Sequence, residues 1–506
     1  MGYVQDMRRN FSVFSVLGVG FSLTNSWFGI SAALITGINS GGPVLIIYGI
    51  ILIAIISTCV GVSLSELTSA FPNAGGQYFW ANELAPRKYS NFASYLTGWF
   101  AWAGSIFTSA SVALAMGSAL MGCIQLYNPD LSVPYPYSPF ILLTFHSVIK
   151  PWMVFVAYQI VNWFAFFFNC YGRALPSIAT FTLWCSLISF LVILIVVPAK
   201  APSHETASFV FANFVNNTGW AQNGIAFIVG LINTNWAFAC LDAATHMAEE
   251  IHQPERMIPI AVMGTVAIGF VTSWTFSIAI FFSMNDLDAL FNTPTLVPIL
   301  ELFNQALQSR AGAVVLEVMI IATGIGCQIA CHTWQSRLCW SFARDRGLPG
   351  SGWLAKVHPK LDVPLNAHFA SCVIVTILGC LYLGSYTAFN SMVTACIVLL
   401  YISYSIPVAS LLIKGRDNIV HGPFWLGKLG LVCNVVLLAW TLFTLVMYSF
   451  PPVYPAEANN MNYVSAVYFV VVVILLVYWF VRGKRTFRNV DERKAEAMGL
   501  EEQVTR

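Results

Sequence analysis

Apolar runs of about twenty residues, separated by short polar or charged stretches, fill the chain from Phe11 to Val481. A bilayer-spanning helix needs about 20 mainly apolar residues. By that measure the pattern predicts twelve spans: Phe11 to Ile35, Val44 to Leu67, Ser94 to Gly122, Met153 to Phe168, Leu175 to Val197, Ile225 to Ala248, Ile260 to Ser283, Gly312 to Phe342, Ala367 to Leu383, Phe389 to Leu412, Leu426 to Phe450 and Tyr463 to Val481. The first run follows Arg8-Arg9 as a signal peptide would, but it is too long and lacks a small-x-small cleavage site, so it reads as a retained helix. The longest stretches between runs, Gln125 to Pro151, Pro198 to Asn223 and Met284 to Ala311, are connectors too short for a further domain. The expectation is an all-α membrane protein, with a cytoplasmic segment over 1–10, a twelve-helix domain over 11–481 and a charged cytoplasmic tail over 482–506.

Composition agrees with that pattern and orients it. Hydrophobic residues make up 58% of the 506 and charged residues 9%, against about 25% charged in ordinary soluble domains. A net charge of +2 offers no basic face for nucleic acid. If the N-terminus is cytoplasmic, only Lys150, Lys200 and Arg310 face outward, and the other 21 basic residues lie inward or at inner ends. That excess predicts both termini in the cytoplasm. An Asn216-Asn217-Thr218 sequon falls in an outer loop, the side where glycosylation occurs. The 12 Cys lie mostly within apolar runs and form no C-x-x-C, so they read as small packing residues, and no metal or cofactor is expected.

Two runs are interrupted. In span 1, Ser22, Thr24, Asn25 and Ser26 precede Trp27; in span 6, Asn233, Thr234 and Asn235 precede Trp236. A polar break before Trp thus recurs five spans apart. Five is odd, so the two sets lie in opposite orientations, a five-plus-five inverted repeat over 11–197 and 225–412 with spans 11 and 12 appended over 426–481. Broken backbone within a membrane is tolerated where it lines a cavity. At each break the first half-helix offers carbonyls and the second offers N–H groups, so either a cation or an anion can be held there. Trp27, Phe28, Trp236 and Phe238 flank the breaks, and Trp99, Trp102 and Phe107 lie on span 3, so an aromatic box for a quaternary ammonium is the favoured arrangement. The candidate substrate residues are Asn25, Ser26, Trp27, Trp102, Phe107, Asn235, Trp236 and Phe238.

Ionisable residues inside spans are candidates for coupling or gating. Asp242 and His246 stand one turn apart in the second half of span 6 and could relay a proton or mark the inner exit. Glu66 sits at the inner end of span 2, Glu317 is placed to reach the outer boundary, and Arg337 can reach the cytoplasm or form an inner-gate ion pair. His358-Pro-Lys-Leu-Asp362 has no second catalytic motif behind it, so no enzyme is expected.

Longer blocks resemble a known family. Ser65-Glu66-Leu-Thr-Ser-Ala-Phe71-Pro72-Asn-Ala-Gly75-Gly76-Gln-Tyr78-Phe-Trp80 resembles a signature of the amino acid-polyamine-organocation superfamily. Trp236-Ala-Phe-Ala-Cys-Leu-Asp242-Ala-Ala-Thr-His246-Met-Ala-Glu249-Glu250, followed by Pro254-Glu-Arg256, is similar to its fungal amino acid/choline branch. The blocks from Gly18, Cys331 and His421 extend the likeness over nearly the whole chain. The resemblance implies a LeuT-like plasma-membrane permease importing choline or ethanolamine-type amines, driven by membrane potential, a proton gradient or both. A γ-aminobutyrate or other amino acid permease is the alternative within the superfamily. One departure is Cys240, where many members carry Gly.

Overall fold

The computed structural model describes residues 7–128, 131–135, 146–458 and 460–487. Parts of the expected N-terminal segment (1–6), the charged tail (488–506) and the connector between spans 3 and 4 (129–130 and 136–145) lie outside the described residues.

Helices dominate. α1 (Val13–Thr24) and α2 (Ser26–Ala32) are the two halves of span 1. α3 (Leu34–Ala70) carries span 2, α4 (Gln77–Leu84) follows it inside the signature block, and α5 (Ser90–Tyr127) is span 3. A short antiparallel pair, β1 (Ser132–Tyr135) and β2 (His146–Ile149), precedes α6 (Pro151–Phe168) and α7 (Leu175–Lys200), spans 4 and 5. After the small α8 (Ala207–Phe211) comes α9 (Asn223–Trp236), the first half of span 6. α10 (Pro254–Phe282) is span 7, α11 (Leu287–Phe291) and α12 (Pro298–Leu307) form the next connector, and α13 (Arg310–Arg344) is span 8. α14 (Ser351–Leu354), α15 (Leu365–Gly384), α16 (Tyr386–Lys414), α17 (Lys428–Met447) and α18 (Val464–Tyr478) complete spans 9 to 12.

Eleven helices among the described residues are long and apolar enough to cross a membrane. The expected run missing from them is span 6, which the break shortens to the 14 residues of α9. The sequence pattern placed this break at Asn233–Asn235, before Trp236. In the structure the helix continues through Trp236 and the irregular stretch comes after it, ending in a 3₁₀ turn at Ala243–Met247. Asn233 and Asn235 keep helical backbone because their amides find partners on other helices, as described below. Span 2 also starts earlier than the apolar run suggests: α3 begins at Leu34 and bends at Gly41 and Gly42, where Gly42 has φ 66° and Pro43 restarts the helix.

Burial separates centre from periphery. Of the most apolar window in each span, 83% is buried in span 1 and in α5, against 22% in span 12. The outer spans turn apolar side chains such as Phe181, Ile195, Phe469 and Val477 outward, the surface a lipid environment requires. Inside, polar side chains are paired across helices: His332 on α13 meets Asn162 on α6 at 3.1 Å, and Asn162 donates to Thr376 Oγ1 on α15 at 3.0 Å.

Candidate functional site

The break in span 1 is one residue long. Asn25 adopts left-handed backbone (φ 33°, ψ 64°), a conformation Asn tolerates better than most residues, and α2 resumes at Ser26. Its Oδ1 accepts from Ser186 Oγ on α7 at 3.1 Å, and the same hydroxyl accepts from the Trp27 indole at 3.0 Å. The break in span 6 is longer and contains Cys240 at φ 67°, in the region that favours glycine. That backbone would be unstrained with Gly, the residue the resemblance implies at this position.

The two breaks touch. A Cβ on Gly29 would stand 2.7 Å from Ala237 Cα, so α2 meets the second break backbone to backbone. Thr24 Oγ1 donates to the Ala239 carbonyl at 3.1 Å, and the Cys327 thiol of α13 donates to the Leu23 carbonyl at 3.2 Å. These bonds occupy carbonyls that the breaks release.

Between the breaks lies a cavity lined by Leu23, Thr24, Phe28, Thr108, Val112, Trp236, Ala239, Cys240 and Cys327, none of which carries a formal charge. About 10 Å³ is open to the centre of a water molecule, room for about one water. An organic ligand therefore requires the lining helices to part. Phe28 and Trp236 face each other across one wall, with ring centroids 6.4 Å apart. Ser111 on α5 accepts from the Trp236 indole at 3.2 Å and fixes that ring. Gly324 makes room for the Phe28 ring, because a Cβ there would reach within 2.8 Å of it.

Of the eight predicted substrate residues, only Trp236 lines this cavity. Trp27 turns to α7 and α10, packing against Phe190 and Phe276, because its indole N–H finds its acceptor in Ser186. Phe238 is buried near Gly269 of α10, and Trp102 packs edge-on to Trp99. Phe107 is buried without reaching the cavity, while its neighbour Thr108 does reach it. Ser26 is buried against Gly269. Asn235 links helices: it donates to Tyr448 OH and accepts from Tyr401 OH, both at 2.8 Å. Asn233 likewise ties α9 to the Ala33 carbonyl at 2.6 Å. Sequence reasoning missed Thr108, Val112, Ala239 and Cys327, which carry no signal distinguishing them from helix packing. Thr24 and Cys240 had one each, the polar break and the departure from Gly.

The second half of span 6 carries the charged groups. Asp242 and His246 are fully buried, with His246 Nε2 3.2 Å from Asp242 Oδ2. Asp242 also accepts from Gln77 Nε2 at 2.6 Å and from Tyr404 OH at 2.5 Å. Just beyond, Glu250 takes both Nε and Nη2 of Arg337, at 2.8 and 3.3 Å, and Glu249 takes Arg344 at 2.6 Å. Arg337 thus forms a buried ion pair with span 6. Glu317 differs from expectation: it is 1% exposed and packs inward near Cys123 instead of reaching the boundary. Glu66 is buried too, paired with Arg416 at 2.9 Å and accepting from the Leu426 N–H. All 12 cysteines are free thiols.

A multi-pass membrane protein with two interrupted helices meeting at a central cavity is the architecture of a secondary transporter. The chain belongs to the amino acid permease family, whose profile matches residues 11–475. It is 52% identical to a choline transporter of Saccharomyces cerevisiae, over 97% of this chain and 84% of that protein. It is 34% identical to a 7-keto 8-aminopelargonic acid transporter of the same yeast, over 93% and 92% of the two chains. An amino-acid permease of Arabidopsis thaliana is 30% identical over 96% and 94%.

Proposed function

We propose that this protein imports choline, or a closely related amine such as ethanolamine, across the plasma membrane by alternating access, with both termini cytoplasmic. The observation that carries the reading is the cavity itself: two aromatic rings, two threonine hydroxyls and two thiols, without a charged side chain in its lining. A quaternary ammonium is attracted to ring faces within about 6 Å without a fixed counter-charge. A zwitterionic amino acid would need partners for its carboxylate as well. Phe28 and Trp236 take the ammonium, and Thr24 and Thr108 are placed for the hydroxyl. The name of the yeast relative at 52% identity supports the same substrate.

The remaining candidates have supporting roles in this reading. Asn25 and Trp27 hold the first break, and Asn235 anchors the half-helix before the second. Asp242 and His246, with the Glu250–Arg337 and Glu249–Arg344 pairs, close the inner side. An inside-negative potential favours inward movement of a cation by about 2.3 kcal/mol per 100 mV, and a proton gradient can add to this only through a group that takes up a proton on one side and releases it on the other. The protein acts as a carrier, with no catalysis or cofactor.

Competition of labelled choline uptake tests the substrate class. Choline and ethanolamine are expected to compete, and γ-aminobutyrate is not. Strong inhibition by γ-aminobutyrate alone would assign the cavity to amino acids.

A further inference from the structure

The signature block after span 2 contributes no residue to the cavity lining, yet its turn closes on the inner half of span 6. Asn73 shapes the turn, accepting from Gly75 N–H at 2.8 Å through its side chain and from Gly76 N–H at 2.9 Å through its carbonyl. Gly76 has φ 52°, and a Cβ there would stand 2.9 Å from His246 Cε1 and 3.0 Å from Thr245 Oγ1. Both the backbone sign and the close approach therefore require glycine. From this turn the Ala74 carbonyl lies 2.8 Å from His246 Nδ1, and the Gln77 amide reaches Asp242.

These contacts permit a proton count. A carbonyl oxygen only accepts, so His246 Nδ1 carries a hydrogen for Ala74. His246 Nε2 faces Asp242 Oδ2 at 3.2 Å, and two bare lone pairs at that distance repel. One further proton therefore lies between them, as imidazolium facing carboxylate or as imidazole facing carboxylic acid. In either form the proton belongs to the pair. Without it the facing lone pairs repel, and the bonds from Gln77 to Asp242 and from His246 to Ala74 have to hold the two side chains against that repulsion.

We propose that the Asn73–Gln77 turn is a proton-reading latch on the inner gate, holding the inner half of span 6 while Asp242 and His246 share one proton. This rests on the transport reading above and defines how its inner gate is regulated. Both side chains are buried with the latch closed, so the proton leaves for cytoplasmic water as the inner end opens and returns from the same side on closing. It is therefore a regulator and is not carried across. Acidification of the cytoplasm favours the closed latch, and alkalinisation favours opening.

The helix that begins at Gln77 also carries Tyr78 and Glu83, and Tyr401 packs against Tyr404. α16 contributes Tyr404, which donates to Asp242, and α1 has no ionisable side chain. α13 contributes Arg337 and Arg344, each engaged by Glu250 or Glu249. α10 carries Glu255 and Arg256 in its first turn, and Cys240 precedes Asp242 in the break.

The test uses the full chain in sealed vesicles at a fixed potential, with interior and exterior pH set separately. Choline uptake is expected to slow on interior acidification, by at most about tenfold per pH unit for one linked proton. Exterior pH should have no effect, and one charge should move per choline. His246→Gln and Gly76→Ala are both expected to flatten the interior-pH response, and the second leaves the two titrating groups in place. Stimulation by exterior acid with more than one charge per choline would overturn the proposal, as would an interior-pH response that survives in His246→Gln.

A thiol reagent enclosed in the vesicles reads the latch without substrate, through labelling of the cavity residues Cys240 and Cys327. Labelling should rise with interior pH more steeply in wild type than in His246→Gln, a difference that removes the thiols' own pH dependence. Equal slopes would overturn the latch. Steeper wild-type labelling without choline uptake would support the latch while refuting the choline reading.

Discussion

The two breaks look alike in sequence and do different work in space. The span 1 break is a single left-handed residue whose side chain and following indole share one hydroxyl on α7. The span 6 break follows Trp236 and runs to the 3₁₀ turn at Ala243, places Ala239 and Cys240 beside Trp236 on the cavity, and ends at the buried Asp242 and His246. A short break whose polar groups are tied to a neighbouring helix is an anchor. A long one with strained backbone and few regular bonds is the part that can move. The lesson is that a polar interruption in a span marks a functional region without saying which of the two roles it has.

Four substitutions would sharpen or break that contrast. The largest effect is expected at the second break: Trp236→Ala removes one ring face and should raise the choline KM at least about tenfold, or about 1.4 kcal/mol, with normal surface expression. Unchanged kinetics would remove this ring from the site. Next, Asn25→Ala should lower the Tm through a loss of about 1–2 kcal/mol, because alanine is strained in left-handed backbone and Ser186 loses an acceptor. Its KM should change little, and a tenfold rise would make the first break part of the substrate site. Ser111→Ala frees the Trp236 indole and should raise KM about fivefold, equivalent to about 1 kcal/mol for one hydrogen bond. The smallest effect belongs to Cys240→Gly, where relief of positive φ should stabilise by less than about 1 kcal/mol. A fall in thermal stability there would show that the thiol contacts outweigh the backbone strain.

Much of the architecture was legible because it follows from solvent. Lipid forces each span to satisfy its own backbone and to be apolar over a fixed length, so twelve runs and two breaks could be read directly. The direction of individual side chains was less legible. Trp27 and Trp236 occupy equivalent positions relative to their polar breaks, yet one indole is drawn to Ser186 on α7 and the other to Ser111 on α5, and only the second points to the cavity. The acceptors lie 159 and 125 residues away in sequence, so no local pattern distinguishes them. Asn235 belonged to the predicted break, but Tyr401 and Tyr448 hold it within a regular helix.

The sequence alone determined the membrane-spanning class, the number of spans, the interruption of spans 1 and 6 and the spacing of Asp242 and His246 one turn apart. These depend on composition and on contacts a few residues apart. Tertiary structure decided where the second break falls, which aromatic rings meet, that Glu317 turns inward, and that the Gly75-Gly76 turn closes on His246. Each of those outcomes depends on which distant hydrogen-bond donor or acceptor a buried polar group reaches, and only the assembled helices bring such partners together.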